Sequence, residues 1–237
     1  MVKACLNGGR PRGAHPALPL TAEEIAAAAR GAAGAGALAV HVHPRRADGA
    51  QTLEPSPCGE AVLAIRAACP GLPVGLSTAA AIEPDVERRA ALVARWHVMP
   101  DFVSVNLHEP GAVDLVRALP GLGTGVEAGV WTALSARRLV DEDLAPLCLR
   151  VLVEPHDATP EAALATIAAV DAVLDEAGTT IQRVYHGYEA TAWPVIEAML
   201  ARGRDVRVGL EDVLVLPDGR PARDNAELVA TAVRLAR

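Results

Sequence analysis

The chain has 237 residues, longer than an average domain of about 150 and close to the roughly 250 that α/β barrels reach as one domain. With 51% hydrophobic and 22% charged residues, it lies far from the polar, highly charged compositions that stay disordered for lack of burial. Aromatic residues make up only 3%, and 29 acidic against 22 basic residues give a net charge of -7, which disfavours base stacking, a phosphate backbone and an anionic membrane surface.

Strand-like apolar runs alternate with helix-like segments along the whole chain. The strands are expected at Val2 to Leu6, Leu38 to His43, Pro73 to Leu76, Phe102 to Val105, Gly123 to Val126, Leu149 to Val153, Gln182 to Tyr185 and Val206 to Leu210. Their Val-rich cores suit strands buried on both faces. Helices are expected between and after them, at Ala22 to Ala35, Cys58 to Ala68, Asp85 to Arg95, Ala112 to Leu119, Ala133 to Leu139, Glu161 to Ala177, Thr191 to Arg202 and Ala222 to Ala236. Thr21 with Glu24 reads as a capping box, and Ser56-Pro57 and Thr159-Pro160 each place a hydroxyl before a proline suited to a first helical turn.

Eight βα units with no linker between them predict an α/β fold, a closed (β/α)8 TIM barrel forming a single domain over residues 1–237. An open doubly wound sheet is the alternative, but Asn7-Gly8-Gly9-Arg10-Pro11 after the first strand is neither a dinucleotide fingerprint nor a phosphate loop. The N-terminus lacks a signal sequence and no apolar run approaches a membrane span, so a soluble, cytoplasmic protein is expected, with no nucleic-acid or membrane partner. Cys5, Cys58, Cys69 and Cys148 form no C-x-x-C pair and read as reduced packing residues.

Barrel active sites are built at the carboxyl ends of the strands, and polar residues close nearly every strand of this sequence. These are Asn7; His41 and His43; Ser77 and Thr78; Ser104 and Asn106; Glu127; Glu154 and His156; Tyr185 and His186; and Arg207, Glu211 and Asp212. Residues two apart on a strand face the same side, so His41 and His43 offer two imidazoles in a spacing that suits zinc. Barrel closure leaves only the first strand between the second and the eighth, which lets Glu211 serve as a third ligand. Arg207 could hold a substrate carboxylate or orient Asp212 as a base, and Glu127 could complete a Glu/Arg/Asp network. Trp96 and His97 read as packing or surface residues, while His15 is open to either reading.

Ala4 to Gly9, Leu20 to Glu24, Gly36 to His43, Leu76 to Thr78, Val103 to Asn106, Val126-Glu127, Val206 to Asp212 and Asp224 to Val229 together resemble the β-keto acid cleavage enzymes. The resemblance implies a zinc-containing (β/α)8 barrel, usually a homo-oligomer, that joins a β-keto acid to acetyl-CoA and releases acetoacetate and a new acyl-CoA by retro-Claisen cleavage. It also implies zinc on His41, His43 and Glu211, acid/base roles for Asp212, Arg207 and Glu127, and a substrate pocket lined by Ser77, Ser104 and Asn106; Asn7 and Arg10, just past the first strand, are expected to bind substrate with them. Family members often carry a carboxylate where this chain has Arg10, and an arginine there predicts an acidic or neutral polar β-keto acid. A metal-dependent retro-aldol or decarboxylating lyase and a non-catalytic barrel that binds a small acid are the alternative functions.

Overall fold

The computed structural model describes residues 1–237. Its eight parallel strands are β1 (Val2–Cys5), β2 (Ala39–Val42), β3 (Val74–Ser77), β4 (Phe102–Asn106), β5 (Gly125–Val130), β6 (Arg150–Val153), β7 (Arg183–Tyr185) and β8 (Asp205–Val208). They close in sequence order, with β8 pairing to β1 through Val2 and Val206, so the sheet is a barrel and not an open doubly wound sheet. The helices are α1 (Ala22–Gly34), α2 (Pro55–Ala68), α3 (Val86–Ala94), α4 (Ala112–Ala118), α5 (Ala133–Asp141), α6 (Pro160–Glu176), α7 (Ala192–Leu200) and α8 (Asn225–Leu235). None is long and apolar enough to cross a membrane.

Local chemistry sets several of these boundaries. Thr21 and Glu24 make the reciprocal capping box that opens α1, and Thr159 caps α6 ahead of Pro160. The second helix departs from expectation. It starts at Pro55 with Glu54 at its cap, so Ser56 lies inside the first turn and donates to Glu60 instead of capping. The eighth begins later than expected, at Asn225, because the Asp224 carboxylate accepts from the Glu227 amide.

The principal apolar core lies outside the barrel, where Val151 and Val153 on β6, for example, share one cluster with Ile167 and Val170 of α6. Barrel interiors of this fold are usually filled by branched aliphatic side chains. Here Lys3, His41, Ser77, Ser104, Glu127, Arg150, Glu154, His186 and Arg207 are all buried. Such an interior is stable only if its charges and donors find partners. Those partners divide it into two polar layers, one deep in the barrel and one at the carboxyl ends of the strands. The four cysteines are free, three of them buried and Cys148 half-buried.

Candidate active site

The deeper layer is an ion cluster. Glu127 lies within β5, which runs four residues further than its sequence suggests, and its carboxylate accepts from Lys3 of β1 and from Arg150 of β6 at 2.7 Å. Phe102 lies beneath both cations, 5.8 Å from the Lys3 ammonium and 4.5 Å from the Arg150 guanidinium. Burial opposes the Glu127 charge, but Lys3 and Arg150 outweigh it and hold its pKa down at about 2. The expected network of Glu127 with Arg207 and Asp212 therefore does not form. Both carboxylate oxygens are committed to Lys3 and Arg150, which sequence spacing could not pair across three strands.

The upper layer surrounds a cavity of about 120 Å³ whose lining includes His41, His43, Ser77, Ser104, Asn106, Glu154, His186, Arg207 and Glu211. One ligand atom each from His41, His43 and Glu211 lies within 4.8 Å of the others. The Nε2 atoms of His41 and His43 are 3.9 and 3.6 Å from Glu211 carboxylate oxygens, near the separation of about 3.4 Å between ligands on a tetrahedral zinc. One buried atom facing the centre of this group, Glu211 Oε2, has no hydrogen-bond partner, a state that costs about 1–3 kcal/mol unless something else satisfies it. Two imidazoles and a carboxylate are a donor set suited to zinc. The triad thus fits the metal in both geometry and chemistry.

Surrounding contacts orient these ligands. Gln51 bonds His43 Nδ1, leaving Nε2 directed toward Glu211. It reaches the ring because the chain after β2 folds back in an antiparallel bridge between Arg45 and Gln51, a return that leaves no mark in sequence periodicity. Asn7 uses its amide to accept from the His43 backbone N–H and to donate to the His43 and Pro19 carbonyls. It holds the end of β2 in place and does not line the cavity. Burial pushes the His41 pKa well below its usual value, keeping the imidazole neutral as a ligand must be. At Glu211 burial works in the opposite direction, but Arg207, His43 and His41 together hold its pKa well below the carboxylate range.

Beyond β8 the chain turns sharply, with the Asp212 N–H donating to the Gly209 carbonyl. In an extended strand residues 211 and 212 would face opposite sides; the turn brings both carboxylates to Arg207. The guanidinium bonds Asp212 through Nε at 3.1 Å and Nη2 at 2.6 Å, and bonds Glu211 at 2.6 Å. Gly8, at φ +52°, makes room for this turn, since a Cβ there would lie 2.2 Å from Glu211 Cγ. Asn225 of α8 fixes the turn by accepting from the Leu210 N–H and donating to the Leu6 carbonyl.

His186 stands between two carboxylates, with Nδ1 3.5 Å from Asp212 and Nε2 3.1 Å from Glu154. Trp131 stacks on His156 with centroids 3.6 Å apart, and the tilted ring of His108 lies 4.0 Å from it. Ser77, Ser104 and Asn106 line the cavity as expected from their strand ends, whereas Arg10 does not. Its guanidinium is 2.7 Å from Glu189, lies over the Tyr188 ring and donates to the Leu210 carbonyl. Tyr185 points outward to Asp171, and His15 bonds the Ala222 carbonyl, so both are structural. Sequence reading missed Gln51 and Trp131. Neither follows a polar strand-end pattern.

Fold and site together define a (β/α)8 barrel with a candidate metal triad beside a carboxylate held by arginine. The sequence profile of the β-keto acid cleavage enzymes matches residues 1–120 and 132–237, and the chain belongs to that family. Relatives in Acetoanaerobium sticklandii and Fusobacterium nucleatum, each named 3-keto-5-aminohexanoate cleavage enzyme, are 26% identical over the whole of this chain and 91% of their own length. Among solved structures, ObcA in a binary complex with oxaloacetate superposes with a TM-score of 0.74 at 17% identity, over 92% of this chain and 63% of ObcA. This chain thus spans less than two thirds of ObcA's length. A 3-dehydroquinate dehydratase from Geobacillus kaustophilus superposes with a TM-score of 0.62 at 12% identity, over 98% of this chain and 90% of its own. Both likenesses are of fold.

Proposed function

We propose that this enzyme is zinc-dependent and transfers the acyl group of a β-keto acid to coenzyme A, consuming acetyl-CoA and releasing acetoacetate. The observation that carries the proposal is the convergence of His41, His43 and Glu211 beside an Asp212 that Arg207 holds with two nitrogens. His41, His43 and Glu211 would hold the metal, which supplies a Lewis acid for the β-keto carbonyl.

Asp212 removes a proton from the carbon between the carboxylate and the ketone. Arg207 fixes that carboxylate in direction through Nε and Nη2, and His186 Nδ1 lies 3.5 Å from it. The resulting carbanion attacks the acetyl carbonyl of acetyl-CoA and expels the CoA thiolate. The thiolate attacks the original β-keto carbonyl, and the bond to the α-carbon breaks. The acyl group leaves on CoA, and protonation of the departing carbanion gives acetoacetate. Ser77, Ser104 and Asn106 offer hydrogen bonds along the cavity wall. No bond to the protein forms at any step.

The test is incubation of zinc-loaded protein with acetyl-CoA and a panel of β-keto acids, with acetoacetate and acyl-CoA followed by mass spectrometry. Both products should appear together and only with acetyl-CoA present. Carbon dioxide released without acyl-CoA would favour the decarboxylating alternative.

A further inference from the structure

One buried group opposite the metal triad takes no part in these steps. Glu154 closes β6, which lies diametrically across the closed barrel from β2. It is 6% exposed, its Oε2 engages His186, and its Oε1 is buried with no partner. The neighbouring strand lets this carboxylate and a second acceptor come close. Gly129 on β5 has no side chain, and a Cβ there would sit 2.5 Å from Glu154 Oε1 and 2.5 Å from Asn106 Oδ1. Two acceptors therefore converge on the space left by Gly129, and the Asn106 amide nitrogen is already given to Glu109.

A donor faces the same cavity. Trp131 follows Gly129 by two residues on the same inward side, stacks on His156 and lines the cavity with Glu154. Its indole N–H is also buried without a partner. The niche thus offers a buried unpaired acceptor, Glu154 Oε1, and a buried unpaired donor, the Trp131 indole N–H, with Asn106 Oδ1 as a further acceptor, and unpaired buried polar groups discriminate strongly against a ligand that cannot pair with them. An alkyl group leaves Glu154 Oε1 and the indole N–H unpaired. A carboxylate is repelled by Glu154. An ammonium group satisfies the acceptors but gives the indole N–H nothing. A hydroxyl donates to Glu154 or Asn106 and accepts from Trp131.

We infer that the niche formed by Gly129, Asn106, Trp131 and Glu154 is a specificity site for a β-keto acid carrying a hydroxyl group on the part remote from its carboxylate. The inference rests on the proposed β-keto acid chemistry, which places the reacting carbons by the metal triad and the remaining chain across the barrel toward β5 and β6. It moves substrate selection away from Arg10, which is occupied by Glu189.

The test uses three matched compounds, 3-oxohexanoate and its 5-hydroxy and 5-amino derivatives. Binding to zinc-loaded protein is measured by calorimetry without acetyl-CoA, and kcat/KM is measured with it. The 5-hydroxy compound should bind roughly ten- to hundredfold more tightly than the unsubstituted one, the range for a hydrogen bond to a charged group. Gly129→Ala, whose Cβ displaces the Glu154 and Asn106 oxygens, and Glu154→Gln, which removes the charge, should each shrink that ratio severalfold or more. Circular dichroism and zinc content establish that each variant is folded and loaded. A wild-type protein that binds the unsubstituted or amino compound as well as the hydroxy compound overturns the niche, whether or not it turns over. A hydroxyl preference in binding with no acyl-CoA formed from any of the three supports the niche and counts against the acyl-transfer reading instead.

Discussion

Arg207 divides one guanidinium between two carboxylates, Glu211 of the candidate metal triad and Asp212, the proposed base. Replacing Asp212 by Asn keeps the shape and removes the proposed base. Zinc content should remain while turnover falls about 10²- to 10⁴-fold, and exchange of the substrate α-proton with solvent deuterium, followed by NMR, should fall with it. Persistent exchange would assign the base elsewhere. Gln51→Ala should leave all three ligands in place but weaken zinc binding by about 10- to 100-fold, read by competition with a chelator, because His43 loses the contact that sets its ring. The candidate triad and Asp212 were legible in the sequence as a group because each is a polar residue at or just beyond a strand end, and the His-x-His and Arg-x-Gly-x-Glu-Asp spacings are local. Gln51 was not, because its contact depends on a loop folding back. Neither was the position of Arg10, which is set by Glu189 almost 180 residues away in the chain.

Among the elements, β5 shows how a charged residue misleads a reading by pattern. Glu127 followed by Ala128 and Gly129 resembles a strand end, yet the strand continues to Val130 because Lys3 and Arg150 neutralise the charge inside the barrel. Removing one member of a buried cluster leaves the others uncompensated, so Glu127→Gln should destabilise the fold by about 3–5 kcal/mol in urea unfolding at neutral pH. The pH dependence follows from the lowered pKa. Glu127 ionises at about 2 when folded, against 4.5 ordinarily, so its contribution is complete above about pH 4.5 and is lost as pH falls toward 2. The difference corresponds to about 3 kcal/mol. Acid titration of stability should therefore show a loss in this window that Glu127→Gln lacks. The turn after β8 is a second case: strand alternation separates Glu211 from Asp212, and only the turn joins them. Helix starts were more legible, since the Thr21 and Thr159 caps act over three residues, though Ser56 shows that a hydroxyl before proline does not by itself fix the first turn.

For the molecule as a whole, closure is what makes the site. Only when β8 pairs with β1 do the two histidines at the end of β2 meet the carboxylates after β8. Eight alternating strands and helices without a linker made that closure legible, because every strand is apolar enough to be buried and no phosphate loop supports an open sheet. The polar filling of the barrel was legible as a set of residues but not as a set of pairs, since the sequence does not state which charges meet across three strands. The same closure places Glu154 and Gly129 opposite the triad, where the side chain of a substrate would lie. The most direct test of the proposed chemistry is the fate of the acetyl carbons. With acetyl-CoA labelled by ¹³C at both acetyl positions and an unlabelled β-keto acid, carbons 3 and 4 of the acetoacetate formed should carry the label, and the new acyl-CoA should carry none. Acetoacetate lacking the label, or acyl-CoA containing it, would contradict acyl transfer by this route.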